Sequence, residues 1–321
     1  MIFEKKMVAL VRGATNSRHD DTGDVFYYSP ADFEGLLSEK FDFVGESGQT
    51  LAGAVYYMGE RSAERLVIFD HGMGAGYRAY MQEIVMLTKS GFTVLTYDHT
   101  GCRDSEGEGT QGFAQSLSDL DYCIRAVKAD PVLSKLSLSV VGHSWGAFSA
   151  MNISAIHKDI THVVAMSGFV SVKIMLGQFL AGPMKLFLPA AYAAEAQAVP
   201  NYVQFDARTS LRDSDAAVLL IYSDNDKTVK LSHHFELLRE ALSYRPKTEL
   251  LLVHGKGHNP NYTAEAVAYK DAFFKALTKA RKRGMLKTEE EKTAFKNSYD
   301  WAKMTEQDTE LWDKIIDFLS K

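Results

Sequence analysis

Residues 142–146 read Gly-His-Ser-Trp-Gly and fit the pattern G-x-S-x-G; an apolar run over 138–141 precedes them, and Ala147-Phe148 opens a helical pattern behind. A serine hydroxyl is a weak nucleophile and works only when a tight strand-to-helix turn presents it, with glycines two residues to either side so that backbone can close around the turn. Such a serine needs a base, an acid to orient that base, and donors for the oxyanion. Two bases are available just past the apolar run 248–253, His254 and His258. The glycines of Gly255-Lys256-Gly257-His258 loosen the loop that carries His258 and favour it, while His254 sits nearer the strand. For the acid, Ser223-Asp224-Asn225-Asp226-Lys227-Thr228-Val229 offers Asp224 and Asp226, and at least one of the two serves only the turn. The third part is His71-Gly72-Met73-Gly74-Ala75-Gly76, whose glycines let backbone aim an amide at developing negative charge. One such donor contributes about 3 kcal/mol to a transition state. A phosphate cradle, the rival use of a glycine-rich loop, lacks both a Gly-Lys-Ser/Thr sequence and a G-x-G-x-x-G leading into a helix.

These groups must be held by regular elements, and the chain supplies an alternation of short apolar runs with longer amphipathic ones. Strands are predicted at 40–44, 51–57, 66–69, 93–97, 136–141, 162–166, 218–222 and 248–253, several as continuous apolar runs suited to central strands covered on both faces. Helical spacing recurs over 79–89, 117–128 and 233–242 between them. The fold class that follows is α/β: an eight-stranded, mostly parallel sheet with crossover helices on both faces. The alternation breaks twice. Residues 168–205 hold only Lys173, Lys185 and Glu195 as charges, and residues 259–305 carry two charge-rich helical patterns, 263–283 and 288–304, before a last amphipathic helix around Trp312. The expected organisation is a lead-in over 1–40 and one domain over 41–321, with an insertion at about 168–213 and extra helices at about 259–305.

Composition narrows the function classes. Thirty-six Lys and Arg against 41 Asp and Glu leave a net charge of −5, too mild and too evenly spread for a nucleic-acid partner. Cys102 and Cys123 cannot frame a disulfide fold in a chain this long, no Cys/His spacing suggests a metal site, and the amino-terminal apolar run is too short for a secretory signal. A cytoplasmic protein without metal or organic cofactor is expected. The apolar stretch 174–199 is interrupted by Pro183, Lys185, Pro189 and Glu195, so it is not read as a membrane span, although contact with a membrane surface stays open.

The His-Gly loop, the serine elbow, the Asp-bearing strand end and the late Gly-His together resemble the α/β-hydrolase superfamily over residues 41–258. Within it the chain is most similar to the lid-bearing branch of monoglyceride-lipase-like esterases and serine aminopeptidase-like proteins, whose lid follows the sixth strand. The resemblance implies Ser144 as nucleophile, His258 as base, Asp226 as acid through Asp226-Lys227-Thr228-Val229, and the amides of Met73 and Trp145 as oxyanion donors. One departure stands out: where that branch reads D-x-R-G-x-G-x-S, residues 98–105 have Thr100 at the Arg position and Arg103 at the second Gly.

The low charge of the insertion, with Phe169, Met175, Phe179, Leu186 and Phe187 among its apolar residues, suits a roof over an acyl or aryl group. The expected activity is hydrolysis of small esters of that kind through an acyl-enzyme. A peptidase or amidase is the alternative, needing a carboxylate near the serine for the substrate ammonium, for which Glu195 is the sole acidic residue in the core of the insertion. A non-catalytic small-molecule receptor on the same fold is the reading from another class.

Overall fold

The computed structural model describes residues 8, 9, 12, 13, 15–180 and 182–321. Eight strands form one sheet: β1 Leu36–Lys40, β2 Gly53–Met58, β3 Arg65–Asp70, β4 Thr93–Tyr97, β5 Ser137–His143, β6 His162–Met166, β7 Ala217–Ser223 and β8 Thr248–Val253. Their spatial order is β1-β2-β4-β3-β5-β6-β7-β8. β1 and β2 pair antiparallel, as do β2 and β4; from β4 onward every pairing is parallel. The crossover helices are α1 Met81–Lys89, α2 Gln115–Ala129, α3 Trp145–Ile153 and α7 Phe235–Ala241.

β3 shows why the continuous runs become central strands. Alternate residues leave opposite faces of a strand, so Leu66 and Ile68 enter one core with α2 and α3, while Val67 and Phe69 enter a second with α1 and the last helix, α11 Thr309–Leu319. All four are fully buried. Along α11, Leu311, Trp312, Ile315, Phe318 and Leu319 recur at helical spacing and close that second face.

Three expectations need correction. The first sheet strand is Leu36–Lys40, inside the stretch read as a lead-in; it is an edge strand with only Leu36 buried, so it carries no alternation to read. Residues 43–44 and 50–51 form a separate two-stranded ribbon, Phe43–Val44 with Thr50–Leu51, instead of the ends of longer strands. The expected helix over 288–304 is two, α9 Glu289–Asn297 and α10 Trp301–Met304, because Asp300 leaves the helix and accepts the Lys303 amide, starting a new turn.

Between β6 and β7 lie α4 Val172–Phe179, α5 Leu188–Ala198 and α6 Ala207–Arg212. The apolar stretch 174–199 is thus divided between α4, a 3-10 segment and α5, and among the described residues no helix is long and apolar enough to cross a membrane. After β8, α8 Ala264–Lys282 packs with α9 and α10 around Phe273, Leu277 and Met304.

Candidate active site

Ser144 stands alone between β5 and α3 with φ 57° and ψ −109°. For a residue with a side chain this is strained backbone, tolerated where surrounding structure fixes it. The two glycines of the motif are steric requirements. A Cβ on Gly142 would fall 2.3 Å from the Gly146 carbonyl oxygen, and one on Gly146 would fall 2.0 Å from that of Asp70.

The tips of β7 and β8 bring two His–Asp pairs onto adjacent loops. His258 Nε2 lies 2.8 Å from Ser144 Oγ, and His258 Nδ1 lies 2.8 Å from Asp226 Oδ2. The Asp226 carboxylate is buried, and its other oxygen accepts the amides of Thr228 and Val229 at 2.8 and 3.0 Å. His254 Nδ1 meets Asp224 Oδ2 at 2.8 Å, but that histidine is 81% exposed and bonds to no serine. Asp224 also accepts the Gly255 amide, so its work is to shape the turn.

The loop after β3 runs beside the serine: a Cβ on Gly72 would stand 3.4 Å from Ser144 Cβ. Met73 follows at once, and Trp145 is the first residue of α3, whose amide has no acceptor within the helix. The Trp145 ring is buried, its indole donating to the Phe113 carbonyl at 2.7 Å.

Sequence reasoning passed over a second network. His143, buried beside the serine, has Nε2 at 2.7 Å from the His258 carbonyl and Nδ1 at 2.8 Å from the Tyr80 hydroxyl. Burial, with the neighbouring His258 adding to it, holds His143 well below the usual histidine range. A neutral ring has one N–H, so Nε2 donates to the carbonyl and Nδ1 accepts from Tyr80. The same hydroxyl accepts the Gly72 amide at 3.1 Å. Tyr80 thus joins the Gly72 loop, through His143, to the backbone of His258. His143 was in plain view as the second residue of the motif, whereas Tyr80 gave no signal beyond its place on a helix face.

The departures in residues 98–105 also have partners. The Thr100 amide and hydroxyl both donate to Asp119, at 2.8 and 2.7 Å. Asp119 and Asp70 flank the fully buried His99, at 3.2 and 3.0 Å; burial pushes its pKa down, the two carboxylates outweigh that, and it rises to about 10. Arg103, at φ 47°, donates from Nε to the Ala75 carbonyl at 3.2 Å and lies 4.1 Å from the Tyr27 ring centre. A side chain at the usual glycine position therefore braces the loop of Met73 against the amino-terminal segment.

Of the apolar residues singled out in the insertion, Phe169 and Met175 are buried in the main core, Phe169 stacked on Phe148 at 4.5 Å. Phe179 is half exposed and parallel to Phe113, Leu186 is exposed, and Phe187 is half-buried. Gln178 at the end of α4 donates to the Thr228 carbonyl at 2.8 Å and accepts the Lys230 amide at 3.0 Å, fastening the insertion to the Asp226 loop. Glu195 is buried in α5, accepting from the Phe113 amide at 2.7 Å and Thr15 Oγ1 at 3.0 Å.

Residues 61–215 match the family model described as serine aminopeptidase, S33. No curated protein sequence matches the chain. Among solved structures, the esterase Pf2001 of Pyrococcus furiosus superposes with a TM-score of 0.60 at 19% identity, covering 84% of this chain and 98% of that one. The α/β hydrolase GrgF of Penicillium sp. sh18 gives 0.53 at 16% identity over 69% of this chain and 91% of its own. An esterase domain from a Rhodothermus marinus protein gives 0.52 at 16% identity over 77% and 99%. At these identities the likeness is one of fold. The sheet order is that of the α/β-hydrolase fold, and residues 61–215, just under half of the chain, are similar to the serine aminopeptidase family.

Proposed function

We propose that the protein is a serine hydrolase cleaving carboxylic esters of apolar acyl or aryl groups. The observation that carries this reading is the continuous relay from Ser144 Oγ through the His258 ring to Asp226, with both links at 2.8 Å. Ser144 Oγ attacks the ester carbonyl while its proton passes to His258 Nε2. The amides of Met73 and Trp145 hold the resulting oxyanion. As the tetrahedral adduct collapses, the C–O bond to the leaving alkoxide breaks, the imidazolium returns its proton to that oxygen, and the acyl group stays on Ser144. Water, deprotonated by the same histidine, attacks the acyl-enzyme and releases the carboxylic acid. Asp226 fixes the tautomer and stabilises the imidazolium without taking up the proton.

Esters are favoured over peptides by the position of Glu195. Its oxygens are engaged by Thr15 and Phe113, so the acidic group that an aminopeptidase would need for a substrate ammonium is committed to holding the insertion. Both cysteines are free and buried, in keeping with a reducing cytoplasm as the place of action.

The test is to treat the folded protein with a fluorophosphonate and to assay p-nitrophenyl esters of graded acyl length beside amino-acid arylamides. Labelling at Ser144, and loss of ester cleavage in Ser144→Ala, is the expected result. An unlabelled serine with no turnover would leave a receptor on a hydrolase fold, and faster cleavage of arylamides than esters would make the protein a peptidase.

A further inference from the structure

A cavity of about 350 Å³ lies between three parts of the chain and is lined by none of Ser144, Asp226 and His258. The amino-terminal segment contributes Phe26 and Tyr28, the chain after His258 contributes Tyr262, Lys270 and Trp301, and the segment after β3 contributes Met73 and Tyr80. That volume holds a small organic molecule. Its wall is mostly aromatic and aliphatic, and of its two lysine and arginine residues one has no ion-pair partner among the described residues.

That residue is Lys270, on α8. The residue is half-buried and its ammonium stands 4.6 Å from the centre of the Tyr262 ring. It forms no ion pair and no hydrogen bond with any described residue. Burial pulls its pKa down to about 8, against the attraction of Glu83 and Asp271, so the amine is still charged at neutral pH. Glu83 is fully buried; its Oε1 accepts from the Asn261 amide group at 3.0 Å, its Oε2 has no hydrogen-bond partner among the described residues, and burial raises its carboxyl above the usual range. Arg78, also on the cavity wall, is spoken for by Asp104 at 3.2 Å. An aromatic face attracts a cation but accepts none of its three N–H bonds in full, so the ammonium keeps donors that no described residue accepts within hydrogen-bond distance.

We propose that this cavity binds a small monocarboxylate with an apolar or aryl body, its carboxylate on Lys270 Nζ and its body against Phe26, Tyr28 and Trp301. One ammonium without a hydrogen-bonded partner, beside an Arg78 already paired with Asp104, matches one negative charge better than the two of a phosphate. The carboxylate has two sources of identical chemistry. It is either a separate acid, such as one that ester hydrolysis releases, or the far end of an ester seated at Ser144.

The experiment is calorimetric titration of the full chain with 4-phenylbutyrate and, for comparison, the neutral 4-phenylbutyramide. Wild type is expected to bind the carboxylate at least about tenfold more tightly than the amide, Lys270→Met to lose that preference, and Lys270→Arg to keep it. Equal binding of acid and amide by wild type overturns the proposal even if the methionine variant fails to fold, and so does an undiminished preference in a folded Lys270→Met. Repeating the titration after phosphonylation of Ser144 assigns the source: carboxylate binding that survives belongs to a separate acid, and binding that is blocked belongs to the substrate's own far end. The first comparison needs no turnover, so a protein that proves inactive on esters still tests the cavity.

Discussion

His254 and His258 lie four residues apart on one loop, and each has an aspartate at 2.8 Å. What separates them is where the rest of the ring goes. His258 turns its second nitrogen to Ser144, while His254 turns outward and stays 81% exposed. Local sequence shows two histidines and two aspartates and favours His258 through its glycines, but the pairing depends on how far the tips of β7 and β8 extend beyond the sheet. Asp226→Asn should keep the geometry yet hold His258 in the wrong tautomer, reducing ester kcat by about 10,000-fold, as comparable triads behave. His258→Ala should cost about as much. His254→Ala and Asp224→Asn touch an exposed pair and should leave kcat within about twofold. The readout is steady-state cleavage of a short aryl ester, and a crippled His254→Ala would reverse the assignment of the base. One subtler variant belongs here. Tyr80→Phe removes the hydroxyl that joins the Gly72 amide to His143, and should lower kcat by about tenfold with KM little changed, because it loosens the loop proposed to hold the oxyanion without touching Ser144.

At the scale of elements, the central strands were legible because their chemistry is uniform: Leu66 to Phe69 are apolar on both faces and sit in the middle of the sheet. The edge strand β1 was not, since four of its five residues face solvent and any polar pattern would serve there. The insertion was visible as a break in the alternation, but its fastening was not. Glu195 stood out as the lone acid of that stretch, and the groups that claim it, Thr15 and the Phe113 amide, are 180 and 82 residues away in sequence. Because Phe113 also takes the Trp145 indole on its carbonyl, α5 is coupled to the residue after Ser144. Glu195→Ala leaves the buried Phe113 amide without an acceptor, a cost of about 1–3 kcal/mol. Hydrogen exchange should then quicken at 110–115 and along α5, with the amides of β3 and β5 unchanged, and ester KM should rise more than kcat falls. Uniform loss of protection across the sheet would mean that Glu195 holds the whole core and not the insertion.

For the whole molecule, the question is what the two ends of the chain do for the sheet between them. Residues 18–24 are bound to the loop after β4: the His19 amide donates to Gly101, the Arg103 amide to His19, and Arg18 to the carbonyls of residues 103, 105 and 107. Asp24 then crosses to α8, receiving two bonds of 2.7 Å from Arg281, a partner 257 residues away. No local pattern announces such a clasp, because an aspartate in a polar segment and an arginine on a charged helix are both unremarkable alone. Burial pushes the Asp24 carboxyl upward, but the bonds from Arg281 and Thr22 outweigh it and hold it below the usual carboxylate range. The sign follows from that direction. A carboxyl whose folded pKa lies below its unfolded value adds stability above the unfolded value and loses it as pH falls through the folded one. Asp24→Asn should therefore lower unfolding free energy at pH 7 by about 1–2 kcal/mol, the lower part of the range for charge-assisted bonds because Arg281 is half exposed. The gap between variant and wild type should narrow once pH drops below about 4, where the unfolded carboxyl begins to take up its proton. Urea unfolding at pH 7, 5 and 3 measures it, followed by the combined fluorescence of Trp145, Trp301 and Trp312. A gap that stays constant across those three values would show that the clasp owes nothing to charge and that the two ends are held by packing alone.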